Sequence, residues 1–281
     1  IFIAVLAVAA LASCSKEEAI NVDKGAVIGF DTFVENSTRA ADLTKGNFDF
    51  GVYGSVINSQ SQQGMIFTNQ EVANDGSYSP AQYWIAGANY EFVAIAPYTG
   101  AAWTYAPTVT TAAENGTITF YNETAAANQD LIFAHATAET TDTFMAAPTK
   151  VGFTFNHMLS RVRFDFINGT VAANNLTFQV TDVVLAGVHK SGTLAVADGA
   201  VADTWTVGAE TFNKAFGNAG DAAIAAAANA ATEHFYLIPT KETFTVSFKV
   251  TLFQAGVNLG TYDRTATVTL DMKKGMSYNV K

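Results

Sequence analysis

The chain has 281 residues, of which 49% are apolar, 12% aromatic and only 14% charged. This composition excludes an intrinsically disordered protein, because there is ample apolar material for a packed core. The formal net charge of −10 has the wrong sign for neutralising phosphates, which argues against nucleic acid as a partner. After residue 12 no apolar run approaches the ~20 residues that a membrane-spanning helix needs.

The first segment predicts export and lipid attachment. Residues 1–12 are almost all apolar, which is typical of the central part of a secretory signal. We expect this signal to span residues 1–13 and to be truncated at its front. It runs into Leu11-Ala12-Ser13-Cys14, which resembles a bacterial lipobox. Cys14 would then carry two or three fatty acyl chains, palmitate among them, and anchor the protein to a membrane.

The residues around this cysteine suggest a location. Cys14 is the only cysteine, so neither an internal disulfide nor a cysteine metal site is expected. The following Ser15-Lys16-Glu17-Glu18 resembles the signal that sends lipoproteins of the Bacteroidetes to the outer face of the outer membrane. A solvated, charged tether explains the same residues equally well.

The body of the chain predicts an all-β protein. From about residue 26 apolar and polar residues alternate, which is the period of half-buried strands. The clearest runs are Val151, Phe153 and Phe155; Val162, Phe164 and Phe166; and Phe244, Val246, Phe248, Val250 and Leu252. Gly, Asn and Asp mark turns between such runs, which favours antiparallel sandwiches. The Ala-rich residues 218–232 predict a loop or a short surface helix, because Ile224 alone gives no apolar stripe.

Two tandem β-sandwich domains are expected. A Thr-rich passage without strand pattern ends near Ala146-Ala147-Pro148, where a strong strand pattern begins. The predicted order is a lipidated tether with a first strand over 14–39, which the family resemblance described below implies to be removable, an N-terminal sandwich over 40–148 and a C-terminal sandwich over 149–281.

The sequence predicts no enzyme, cofactor or metal site. His135, His157, His189 and His234 lack the spacing of a zinc site. His157 ends an apolar strand and is expected to be structural. The sequence contains no nucleophile elbow, Walker loop or dinucleotide-binding pattern.

Aromatic residues provide the main alternative function. Tyr83-Trp84, Trp103 with Tyr105, and Trp205 could stack on sugar rings in a monomeric surface lipoprotein that binds carbohydrate. Packing in a core or between domains would explain the same residues.

Eight short phrases follow one another along most of the chain after Cys14. They are Val27–Phe30, Ser37–Ala40, Phe48–Tyr53, Tyr90–Tyr98, Asp130–Ala134, Phe153–Val162, Leu237–Pro239 and Lys274–Val280. Their order resembles the fimbrillin family of Bacteroidetes, which comprises type V pilus subunits and their lipoprotein anchor and tip relatives. One departure is the absence of a tryptophan near Met272 or Lys273, where family members often have one.

The resemblance implies a structural or adhesive fimbrial subunit built from two transthyretin-like β-sandwich domains. It also implies cleavage after an arginine by a trypsin-like protease. Arg39, followed by Ala40, is the best match, because the polar and small residues around it suit an extended, accessible peptide. An ordinary surface arginine is the alternative.

The resemblance further implies that fimbrial subunits assemble by strand donation. Residues 26–33 are expected to form an edge strand with Ile28 and Phe30 on one face, and cutting after Arg39 would expose a groove. A strand from a neighbouring subunit would fill this groove by β-strand addition. Because such a contact is head-to-tail, it would build a filament.

The expected donor is the C-terminal end, residues 265–270 together with residues 277–281. Ala266, Val268 and Leu270 are predicted to share one face, and Lys273-Lys274-Gly275 is predicted to form a turn. The alternative is that both pieces stay in their own sheets, as in an anchor or terminal subunit.

Overall fold

The computed structural model describes residues 26–34, 48–58, 60–124, 128–141, 150–220 and 222–281, and this part of the chain is almost entirely β. Among these residues no helix is long and apolar enough to cross a membrane. Two short 3-10 turns occupy Asn122–Thr124 and Ala172–Asn174. The strands are β1 (Phe30–Val34), β2 (Phe50–Asn58), β3 (Gln63–Val72), β4 (Ala88–Ala96), β5 (Trp103–Val109), β6 (Ala112–Tyr121), β7 (Ile132–Glu139), β8 (Val151–His157), β9 (Ser160–Ile167), β10 (Leu176–His189), β11 (Ser191–Ala197), β12 (Ala200–Val201), β13 (Thr206–Val207), β14 (Thr211–Gly217), β15 (Asn229–Ala231), β16 (Phe235–Leu237), β17 (Lys241–Gln254), β18 (Val257–Asp271) and β19 (Ser277–Val280).

These strands form four sheets. The first sheet has the order β1-β8-β7-β4-β2-β3, and the second has the order β12-β11-β6-β5 with β13 also paired to β11. In the third sheet, β15, β16 and β19 all pair with β9. The fourth sheet has the order β14-β10-β17-β18. The all-β sandwich class predicted from the sequence is therefore confirmed.

The sheets enclose three hydrophobic cores. One face of the first sheet, with Phe50, Phe92 and Phe153, forms an aromatic-rich first core that residues 26–30 and Trp84 help to close. The opposite face packs against the second sheet in a second core. The third and fourth sheets enclose the third core. Since the first sheet is covered on both faces, all of β2 from Phe50 to Val56 is buried.

The alternating runs in the sequence become strands with alternating burial. In β8, Val151, Phe153 and Phe155 are buried, while the residues between them are exposed. In β17, Phe244 and Val246 are buried and the apolar residues beyond them are half-buried. Residues 218–220 and 222–228 contain no helix and include a bridge from Ile224 to Phe178 of β10, whereas Asn229–Ala231 form the short strand β15, which neither expectation included.

Two pairings depart from the expected antiparallel pattern. β1 runs parallel to β8, and β19 runs parallel to β9. An alternating pattern shows which side chains face the core, but it does not show the direction of the neighbouring strand.

Strands from both predicted domains share sheets. β8, which follows the predicted boundary, completes the first sheet, and β11 pairs with β6 of the second sheet. Residues 142–149, which include the boundary at Pro148, lie outside the described residues. The division into 40–148 and 149–281 therefore stays a prediction.

Two buried tyrosines in the second core should make stability fall at alkaline pH. Burial raises the pKa of Tyr53 from 10.0 to about 12, and it also raises the pKa of Tyr105. The Tyr105 hydroxyl donates to the Ala113 carbonyl at 2.7 Å. A raised pKa in the folded state stabilises the fold below the unfolded-state pKa of about 10, and this contribution is lost as pH rises through the folded-state pKa.

We therefore expect the free energy of unfolding, measured by urea titration, to decrease between about pH 10 and about pH 12, and replacement of both tyrosines by Phe to make this decrease shallower. Tyr262, which is 43% exposed, is the control. If Tyr262→Phe flattened the profile as much as the double variant, the assignment to Tyr53 and Tyr105 would be wrong.

Candidate functional site

The segment that leads into and forms β1 lies at the edge of the first sheet. β1 pairs with β8 in parallel register, from Phe30 opposite Val151 to Val34 opposite Phe155. Just before it, the Ile28 amide donates to the Gln82 carbonyl at 2.9 Å, and the Trp84 amide donates to the Ala26 carbonyl at 3.0 Å. Among the described strands β1 is the end strand of the first sheet, as expected for an edge strand.

Two side chains of this segment are inserted into the first core. Ile28 is fully buried and Phe30 is 3% exposed. The hydroxyl of Tyr78, whose pKa is raised by burial, donates to the Ile28 carbonyl at 2.6 Å. The Phe30 ring lies 5.5 to 6.3 Å, between centroids, from the rings of Phe50, Phe67, Tyr78, Phe92 and Phe153. Removing the segment would therefore open a groove lined by aromatic rings.

The outer side of the same region carries a small apolar surface. Val27, Phe33 and Ile85 are 45%, 50% and 45% exposed, and Tyr83, which bridges to Val27, is 36% exposed.

The predicted donor pieces lie in their own sheets in this structure. β18 pairs with β17 at the edge of the fourth sheet, and β19 pairs with β9 at the edge of the third. Lys274 and Gly275 form the predicted turn between them, and Gly275 has a φ of +73° that favours glycine. The predicted shared face is present, because Val268 lies opposite Phe244 and Ala266 opposite Val246.

Three predicted site residues lie outside the described residues. These are Cys14 for lipidation, and Arg39 and Ala40 for proteolytic cleavage. Nothing in the structure bears on them, and they stay predictions.

The histidines have separate structural partners. His157 Nδ1 lies 2.5 Å from Asp130 Oδ2, and both side chains are buried. His135 pairs with a glutamate, and so does His189. His234 lies 3.1 Å from an Arg161 guanidinium nitrogen; burial and the nearby arginines lower its pKa. In the described ranges no group of three His, Cys, Asp or Glu side chains is placed to hold a metal ion.

The tryptophans suggested for sugar stacking are core residues. Trp84, Trp103 and Trp205 are 2%, 6% and 8% exposed. The Trp103 indole N–H donates to the Pro97 carbonyl and the Trp205 indole N–H to the Met158 carbonyl, at 2.7 and 3.0 Å. The hypothesis that these rings stack on carbohydrate is wrong, because a sugar could not reach their faces.

Sequence reasoning missed the neighbours of β1. Tyr78, Gln82 and Trp84 belong to a stretch without strand periodicity, and β8 lies some 120 positions further along the chain. The aromatic density of residues 78–92 is the one signal that could have indicated a core wall at this position.

The fold and the site define a β-sandwich protein with an apolar edge strand seated in an aromatic groove. The sequence profile of the fimbrillin-like family matches residues 38–281, and the chain belongs to this family. Membership supports a fimbrial or adhesive subunit at the cell surface, and not an enzyme. No curated protein sequence matches the chain.

The chain is similar to several solved structures at low sequence identity. A fimbrial protein from Bacteroides vulgatus is 18% identical, with a TM-score of 0.59 over 90% of this chain and 93% of that one. A Bacteroides ovatus protein to which a role in cell adhesion has been ascribed is 15% identical, with a TM-score of 0.48 over 91% of each chain. The fimbrial anchor protein Mfa2 from Porphyromonas gingivalis is 13% identical, with a TM-score of 0.35 over 84% and 82%.

The contribution of the buried Phe30 side chain to the stability of β1 can be measured by substitution. Phe30→Ala should lower the free energy of unfolding by about 3–5 kcal/mol, because it leaves a cavity among five aromatic rings. Phe33→Ala is the matched control on the same strand, since Phe33 is 50% exposed. It should lower the free energy of unfolding by less than about half as much as Phe30→Ala does. Equal losses for the two variants in urea unfolding would show that β1 is not held by its inward side chain.

Proposed function

We propose that this protein is a structural or adhesive fimbrial subunit that is exported as an outer-membrane lipoprotein and assembles by strand donation. Acylation of Cys14 would hold the precursor at the membrane. A trypsin-like protease would then cut between Arg39 and Ala40 and free the segment that contains β1. The observation that carries the proposal is the burial of Ile28 and Phe30 in the first core, in a segment that leads into and forms the end strand of the first sheet.

Release of this segment would leave two complementary vacancies. The backbone of β8 over residues 151–155 would lose its pairing with β1, and the first core would lose the Ile28 and Phe30 side chains. An incoming strand of alternating pattern satisfies both, because its backbone pairs with β8 while alternate side chains enter the groove. A neighbouring subunit that supplies such a strand creates a head-to-tail contact, which propagates as a filament.

The structure supports β19 as the donated piece. β19 pairs with β9 at four positions, and its inward residues Tyr278 and Val280 are half-buried. β18 pairs with β17 along its whole length, and Leu270 at its end is 6% exposed. Withdrawing β19 therefore breaks fewer contacts than withdrawing β18.

A protease assay tests the processing step. The chain without its first 14 residues is incubated with trypsin at low concentration, and the new amino terminus is identified by mass spectrometry. We expect Ala40 at the new terminus and a ladder of polymers on an unboiled gel. Arg39→Ala should abolish both, whereas Arg264→Ala, at an exposed arginine of β18, should change neither. Polymers of undiminished yield from the Arg39→Ala chain would refute cleavage as the trigger.

A second assay tests the donor. A cut chain that lacks residues 277–281 should form monomers only, because it opens the acceptor groove but has no strand to donate. Mixing it with the cut wild-type chain should shorten the ladder, since each truncated chain ends a filament. A normal ladder from the truncated chain alone would assign donation to another segment. Of the residues that suggested a carbohydrate-binding monomer, Trp84, Trp103, Tyr105 and Trp205 are buried, and Tyr83 alone is exposed.

A further inference from the structure

β1 and β19, the two strands that the proposed assembly would exchange, pair with one continuous segment of the chain. β8 and β9 are separated only by Met158 and Leu159, so residues 151–167 run directly from the first sheet into the third. β1 lies parallel along residues 151–155 of this piece, and β19 lies parallel along residues 161–164. Residues 157–160, here named the corner, join the two halves.

The turn before β19 is bonded directly to the corner. The Gly275 amide donates to the Leu159 carbonyl at 3.0 Å, and the Ser160 hydroxyl donates to the Lys273 carbonyl at 2.7 Å. One residue further, the Arg161 amide donates to the Met276 carbonyl at 2.9 Å. A chain that withdraws β19 together with this turn therefore removes three hydrogen bonds at or beside the corner.

The opposite side of the corner is bonded to the first and second sheets. The Met158 amide donates to the Leu131 carbonyl at 2.8 Å, and the Trp205 indole donates to the Met158 carbonyl at 3.0 Å. The buried His157–Asp130 contact lies on the same side. The corner is thus a joint at which the C-terminal turn, the start of β7 and the second sheet meet.

The backbone pairing of β8 with β7 is confined to the corner end of β8. β8 is in register with β7 at only two positions, His157 opposite Ile132 and Asn156 opposite Phe133, both at its corner end. The remainder of β8, residues 151–155, has β1 as its strand neighbour in the described part of the chain. A shift of the corner is therefore transmitted along β8 to the strand that holds β1.

We propose that β1 and β19 are energetically coupled through the corner, so that withdrawal of β19 weakens the pairing of β1 with β8 and loss of β1 weakens the pairing of β19 with β9. The reciprocity follows from linkage. The biological use of this coupling rests on the proposed function. A subunit that has donated its C-terminal strand opens its own groove more readily, which gives filament growth a preferred order.

Hydrogen exchange measured by mass spectrometry on the uncut, unassembled chain tests the coupling. Deletion of residues 273–281, which removes the turn together with β19, should raise exchange of the amides in 30–34 and 151–155, on the order of tenfold. The β2–β3 pair at the opposite edge of the first sheet is the internal control and should exchange as in the wild-type chain. Wild-type exchange at 30–34 and 151–155, together with faster exchange at 161–164, would overturn the proposal.

If the deletion destabilises the whole protein, two single substitutions test the coupling instead. Ser160→Ala removes one bond between the corner and the turn and should raise exchange at 30–34 by a smaller factor. Ile28→Ala weakens β1 and should raise exchange at 277–280. Thr269→Ala, on the exposed face of β18, is the control and should change neither. If the first two variants behave like the control, the strands are independent.

The outcomes also separate this proposal from the proposed function. Exchange is measured without assembly, so coupling can be present in a chain that never polymerises. Conversely, a chain that shows no coupling in the exchange measurement but polymerises normally would refute the coupling and leave the proposed function intact.

Discussion

An edge strand can be exchanged only if what holds it can be supplied again, and the segment that contains β1 is held by backbone hydrogen bonds and by two buried side chains, Ile28 and Phe30. Burial of a Phe or Ile side chain stabilises a fold by about 1.5–3 kcal/mol, whereas one backbone hydrogen bond contributes about 0.5–1.5 kcal/mol net. Any strand can supply backbone hydrogen bonds to β8, but only a strand with large apolar residues two positions apart can refill the space left by Ile28 and Phe30. The aromatic lining of the groove thereby selects its occupant. Because Phe30 touches five rings at once, the selection depends on shape as well as on hydrophobicity.

The C-terminal end meets this requirement through the same two-residue spacing. Tyr278 and Val280 share the inward face of β19, as Ile28 and Phe30 share that of the first segment, and β19 and β1 each run parallel to their neighbours β9 and β8. The two strands also differ in a useful way. β19 is short and its inward residues are half-buried, so less free energy is lost when it is withdrawn. Ile28 and Phe30 are buried in the first core, so more free energy is gained when side chains fill the groove under β1. A free-energy difference in this direction would drive assembly without an external energy source.

The sequence predicted side-chain faces well and strand neighbours poorly, for one physical reason. Alternation of Val151, Phe153 and Phe155, of Ile28 and Phe30, and the turn at Gly275 are local properties, and the structure has all of them as expected. Whether β1 lies beside β8 or beside another strand depends on contacts over more than a hundred residues, and no local pattern encodes these. The same limit explains why Trp84, Trp103 and Trp205 could be interpreted as surface or core residues until the sheets that bury them were known. It also explains why the pairing of β11 with β6 across the predicted domain boundary was not foreseen.

The corner shows why coupling between distant strands is a consequence of backbone chemistry. A chain that leaves one sheet for another interrupts both hydrogen-bond ladders, and its buried N–H and C=O groups must then find other partners. At residues 158–160 these partners are Leu131, Trp205 and the turn at Lys273–Gly275, which come from three distant parts of the sequence. Losing the turn would remove the Gly275 amide from the Leu159 carbonyl and the Lys273 carbonyl from the Ser160 hydroxyl in a buried setting, at a cost of about 1–3 kcal/mol for a group that finds no other partner. That cost is reduced if the corner moves toward water, and such a movement draws β8 away from β7, to which it is registered only at its corner end. The coupling between β19 and β1 therefore needs no special device beyond a buried corner whose polar groups are satisfied by the end of the chain.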